Sequence, residues 1–111
     1  MMEKNILILL AVIVSAATAI AAEQGETLFK SQGCTACHRP QSASKVNPSL
    51  TEIARIYQGK EDQLIRYMNG EAEAIVNPDQ AGMMKRYIEK TRQLSDADRK
   101  AIADFIMTHS K

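Results

Sequence analysis

An all-α fold of about four to five helices is what this sequence predicts, and three observations lead to it. Apolar residues recur at helical spacing in three segments: Leu50, Ile53 and Ile56; Leu64, Ile65 and Met68; Ile102, Phe105 and Ile106. Residues that start and stop helices bracket those segments. No stretch alternates polar and apolar residues as a half-buried strand would, and there is no internal repeat or low-complexity tract.

Residues 1–21 read as an export signal. Lys4 and the amino terminus make a short charged start, weakened by Glu3; residues 6–14 are an unbroken apolar run. Ala19-Ile20-Ala21 is a small-x-small site that places the cut after Ala21. The alternative is an uncleaved membrane anchor, because only Ser15 and Thr18 interrupt the run before Ala22. That run falls short of the roughly 20 apolar residues a span requires. No cysteine stands at the cut, which argues against a lipoprotein. Residues 22–111 form one small domain, of a size at which a core alone is marginal and a staple or cofactor is expected.

The first helix is expected over residues 23–32, ended by Gly33, with Gly25 and Phe29 four apart on one face. Residues 39–47 have no apolar period and contain Pro40, so they read as loop. Ser49-Leu50-Thr51-Glu52 is a capping box opening the second helix, which Gly59 closes. A third helix runs from about Lys60 to Asn69, with Gly70 as its stop. Residues 71–94 then connect to the last helix, a long interval for a structureless loop. Within it, residues 80–92 have helix-forming composition, so a short helix is expected there after a turn at Asn77-Pro78. Ser95 is the N-cap of the last helix, with Asp96 and Asp98 in its first turn.

The chain holds two cysteines, both in Cys34-Thr35-Ala36-Cys37-His38. Cys-x-x-Cys-His is the attachment site of a c-type haem. Two thiols form thioethers with two vinyl groups of one porphyrin, and the next residue lies under the ring, where an imidazole binds iron. A structural disulfide, a thioredoxin-like dithiol and half a zinc site are the competing readings. A thioredoxin-like motif belongs in a βαβ setting, and zinc needs two further ligands where His109 is the one remaining histidine. Export and the adjacent His38 favour haem, which would also supply the apolar core that a small domain lacks.

His38 binds iron through Nε2 in this reading, and its Nδ1–H then needs an acceptor that fixes the ring. The Pro48 carbonyl, rigidly placed in a tight loop, is the candidate. On the other side of the iron, a thioether gives the His/Met arrangement of electron-transfer cytochromes. Met1 and Met2 leave with the signal, and Met68 and Met107 lie within helices, where a methionine is more often core. Met83 and Met84 remain, in the long connection after Gly82; adjacent side chains diverge, so one of them binds. His109 reads as an exposed residue near a helix C-terminus.

Lys30, Arg39, Lys45, Lys85 and Arg86 lie near the haem-binding segments in sequence. With 14 basic against 13 acidic residues, an ordinary solvated surface outweighs a steering patch, and nucleic-acid binding is disfavoured. No phosphate loop or nucleophile–base motif stands out, so no enzymatic activity is expected.

From Gly25 and Phe29 through Cys34–His38, Asn47-Pro48-Ser49-Leu50, Leu94-Ser95-Asp96 and Ala103-Asp104-Phe105-Ile106, the chain resembles small class I bacterial cytochromes c. Residues 59–65, 70–72 and 74–76 are similar to those of soluble periplasmic cytochromes of hydrogen-oxidising thermophiles. In that subgroup the ligand methionine precedes a lysine, after a short helix inserted in the ligand loop; the resemblance thus implies Met84, before Lys85, rather than Met83. The common Gly-Pro is Asn47-Pro48 here. Lys85-Arg86 stand where a proline often follows the ligand, which leaves that loop less rigid.

The resemblance implies a cytochrome c fold over residues 22–111, with first and last helices crossing at Gly25 and Phe29 near Phe105. It implies one covalent haem c held by Cys34, Cys37, His38 and Met84. The expected function is one-electron transfer between periplasmic redox partners by Fe(II)/Fe(III) cycling, as a monomer, through a small transient interface near the thioethers. The alternatives are a haem c subunit of a larger oxidoreductase, an open-iron sensor, and a non-haem dithiol protein.

Overall fold

In the computed structural model, serine side chains cap the starts of two helices and glycines in the left-handed region follow the ends of three. The model describes residues 20–41 and 47–110. Apart from Ile20 and Ala21, which are helical, the expected export signal lies outside the described residues, as does Lys45. Helix α1 spans residues 20–31 of the described chain. Gly33, at φ 82°, ends it in the left-handed region and opens a single 3-10 turn at Cys34–Ala36.

Helix α2 is Leu50–Ile56, capped by Ser49, whose Oγ accepts from Glu52 N at 3.1 Å. Its first two N–H groups donate backward, Leu50 N to Arg39 O at 2.8 Å and Thr51 N to Pro40 O at 3.1 Å. Donors that a helix N-terminus leaves over are thus satisfied by the chain that follows His38. Helix α3 is Glu61–Met68. A 3-10 turn at Pro78–Gln80 leads into α4, Ala81–Arg92, and α5 is Asp96–Met107 with Ser95 Oγ accepting from Asp98 N at 3.1 Å. Among the described residues there is no strand and no helix long and apolar enough to cross a membrane.

The helix expected to be short, over residues 80–92, has 12 residues and equals α5 in length. Met83 and Met84 sit in the first turn of that helix, and Gly82 is helical there. The three-residue 3-10 turn precedes the methionines, which lie in the helix that follows it.

α5 packs on α2 and α3, and α4 on α3. The core consists of Phe29 from α1, Leu50, Ile53, Ala54 and Tyr57 around α2, Leu64 and Met68 from α3, and Ile102, Ala103 and Ile106 from α5. The α2 stripe continues from Ile53 to Tyr57, 1% exposed, and leaves Ile56 half-buried. That is the i,i+4 neighbour rather than the expected i,i+3.

α1 crosses α5 where neither helix has a bulky side chain. A Cβ on Gly25 would lie 1.9 Å from Ala101 O and 2.8 Å from Phe105 Cβ. One turn later Phe29 meets Phe105, ring centroids 5.5 Å apart. Gly25→Ala forces the helices apart, and we expect a loss on the order of 2–3 kcal/mol in denaturant unfolding.

α3 and α5 also share a titrating pair. Lys100 Nζ lies 3.1 Å from both carboxylate oxygens of Asp104. A hydrogen bond with Asp104, then burial, push Glu61 up to about 7 from 4.5. The folded state thus binds a proton that the unfolded state has lost over that range. Stability from this pair is full below about pH 4.5 and falls as pH rises towards 7. Unfolding titrations across that window should show this fall in the native chain and a flatter profile in Glu61→Gln.

Candidate functional site

A 3-10 turn before His38 and backbone hydrogen bonds after it place this histidine. The 3-10 turn is closed by Cys37 N and His38 N donating to Cys34 O at 3.3 and 3.0 Å. Arg39 and Pro40 are then held to the N-terminus of α2. Pro48, just ahead of the Ser49 cap, presents its carbonyl to the His38 ring, with Nδ1 2.8 Å from Pro48 O. A carbonyl can only accept, so Nδ1 carries a proton, and in the neutral imidazole this leaves the Nε2 lone pair for a metal. The ring is 8% exposed.

His38 opens onto a cavity of about 380 Å³, within the usual range of roughly 300–1,000 Å³ for cofactor sites. Cys34, Cys37 and Pro48 line it from the same side. Met83 and Met84 line it from α4. All five residues predicted for the site, Cys34, Cys37, His38, Met84 and Pro48, thus share one cavity. Both thiols are free; Cys34 is half-buried and Cys37 exposed. Burial pushes the Cys34 thiol up to about 11, partly opposed by the Lys90 ammonium.

The remaining wall is apolar. Phe29, Ile53, Leu64, Ile75, Val76, Ile88, Ile102 and Ile106 contribute to it. Tyr57 and Tyr67 also line the cavity, and Met68 reaches it although helical spacing marked that residue as core. Burial, then Tyr67, push Tyr57 up to about 12, and burial raises Tyr67, so both rings stay neutral at physiological pH. Sequence reasoning singled out neither tyrosine; the signal for Tyr57 was its place one turn after Ile53.

The residues fit a haem. Two thiols and an imidazole lie together on one side, and thioethers approach from α4. Among the described residues no three His, Cys, Asp or Glu side chains converge on a bare metal ion. One nitrogen and one sulfur donor suit an iron whose other four ligands belong to a macrocycle. The apolar wall suits the macrocycle. His109 is elsewhere: it is half-buried, not exposed as expected, stacks edge-on with Phe105 at 5.1 Å and has Nδ1 3.3 Å from Phe105 O.

Of the basic residues near the motif, Lys30 pairs with Glu26 at 3.1 Å, and Lys85 and Arg86 are exposed on α4. Arg86 also lines the cavity.

Residues 22–110 match the cytochrome c family model. Cytochrome c-551 of Azotobacter vinelandii is 30% identical over 90 residues, covering 78% of this chain and 99% of that relative. The matched span takes in the haem-attachment motif, the α4 methionines and the crossing of α1 with α5. The chain therefore belongs to the cytochrome c family, with haem c as its covalent cofactor and electron carriage as its role.

Proposed function

We propose that this chain is a periplasmic one-electron carrier with a His/Met-ligated haem c, and not an enzyme. One observation carries the reading: Cys34, Cys37, His38 and Met84 line a single apolar cavity, with the His38 Nε2 lone pair left for iron. Residues 1–21 direct export and residues 22–111 form the haem domain. The span matched by the family begins at residue 22, which supports that division.

When bound, haem supplies an iron that exchanges one electron. Cys34 and Cys37 tether it by thioethers. His38 holds the iron from one side, and the Pro48 carbonyl fixes the ring and strengthens its basicity through Nδ1–H. Met84 holds the other side; a soft thioether favours the reduced iron and raises the potential. Successive residues on a helix diverge by about 100°, so Met83 and Met84 cannot both bind. Met83 is 58% exposed and Met84 half-buried, and Met84 is the one that precedes the lysine. The apolar wall excludes water, which limits the reorganisation that each electron transfer requires.

Partners are redox proteins, met as a monomer. The exposed Cys37 edge suits a small, weak and transient interface near the thioethers. The near-balance of charge disfavours nucleic acid.

Visible spectra of the oxidised holoprotein and its reduction potential test the ligand. Met84→Ala should lose the weak far-red sulfur-to-iron band and lower the potential on the order of 0.1 V or more. Met83→Ala should keep both. The reverse pattern moves the ligand to Met83, retention in both variants points to Met68, and no band in the native protein sinks the carrier reading. Recovery of the holoprotein in a periplasmic fraction, with Ala22 as its first residue by mass, tests export and cleavage.

A further inference from the structure

Helix α4 carries the methionines yet contributes nothing to the apolar core; its one buried residue is Thr91. Polar contacts at its C-terminal end hold it. Thr91 Oγ1 donates to Met68 O of α3 at 2.5 Å and lies 3.1 Å from Ile88 O. Arg99 reaches over from α5 and is 5% exposed. Its Nη1 donates to Thr91 O and Arg92 O, each at 3.1 Å, and to Leu94 O; its Nη2 pairs with Asp96. The Thr91 and Arg92 carbonyls are among the acceptors that a helix C-terminus leaves over, and the guanidinium charge sits at the negative end of the α4 dipole. At the other end, Gln80 makes no side-chain cap, Gly82 stands in the first turn, and no proline follows Met84.

The methionine end of α4 is thus a lever held at its far end. Thr91 lies seven residues beyond Met84, about 10 Å along the axis. A tilt of about 10° at the clamp moves the Met84 backbone by roughly 2 Å, well beyond the roughly 0.5 Å within which a preorganised site holds its groups.

We propose that Thr91 and Arg99 are positioning residues for the Met84 ligand: by clamping the C-terminal end of α4 they set how firmly the Met84 sulfur stays on the iron. The proposal rests on the ligation by Met84 inferred above. It explains how a ligand segment without the usual proline is kept in place.

Imidazole titration of the oxidised holoprotein reads this directly, because imidazole binds iron once the sulfur leaves. Thr91→Val and Arg99→Met should each bind imidazole about tenfold more tightly than the native protein, with a lowered reduction potential. Thr91→Ser keeps the hydroxyl and should retain native affinity. Leu28→Ala, on α1, should lower unfolding stability without changing imidazole affinity. Unchanged affinity and potential in both Thr91→Val and Arg99→Met would overturn the clamp, as would equal tightening in Leu28→Ala. A native protein whose far-red band is present and is lost in Met84→Ala shows that such a failure belongs to the clamp alone; an absent band overturns the ligation reading and the clamp with it.

Discussion

A domain this small cannot bury enough apolar surface among its own helices, and the whole arrangement follows from that constraint. Phe29, Ile53, Leu64, Ile102 and Ile106 belong to the core and also face the cavity. The core is therefore one wall of a larger one that includes the cofactor. α1 and α5 can close that wall because Gly25 lets the α1 backbone come against Ala101. Were the crossing wider, Phe29 and Phe105 would separate and the helix leading into the haem-attachment motif would be displaced with them.

The two sides of the site are held by different physics. On the histidine side, local chain geometry does the positioning: a 3-10 turn, two backbone hydrogen bonds to the start of α2, and the Pro48 carbonyl on the His38 ring. These contacts lie close in sequence and satisfy donors that α2 would otherwise leave over. On the methionine side, α4 is tied to α3 and α5 by Thr91 and Arg99. Polar anchoring of this kind fixes direction, since each bond has a defined geometry, whereas apolar packing alone tolerates sliding. Separating the two sides lets one stay constant while the other is adjusted.

Local signals were legible. Both serine N-caps stand where the sequence places them, because a cap depends on a side chain and an amide three residues apart. The Pro48 acceptor was legible for a similar reason: few carbonyls are so constrained near His38. The α4 helix was legible too, since Ala81–Arg92 falls within the residues whose composition favours a helix. Two features were not. Tyr57 displaced Ile56 from the core because burial is decided by the direction of the neighbouring helix. Nothing in the sequence singles out Arg99, because its place beneath α4 depends on where a different helix ends.

The sequence by itself determined the cofactor and the all-α class, because the Cys34–His38 motif and the helical periods each rest on spacing within a few residues. The tertiary structure alone decided which apolar residues wall the cavity and that both α4 methionines face it. It also decided that a buried arginine holds the helix carrying them. Those outcomes depend on contacts between segments far apart in the chain, and their geometry exists only once α3, α4 and α5 have packed.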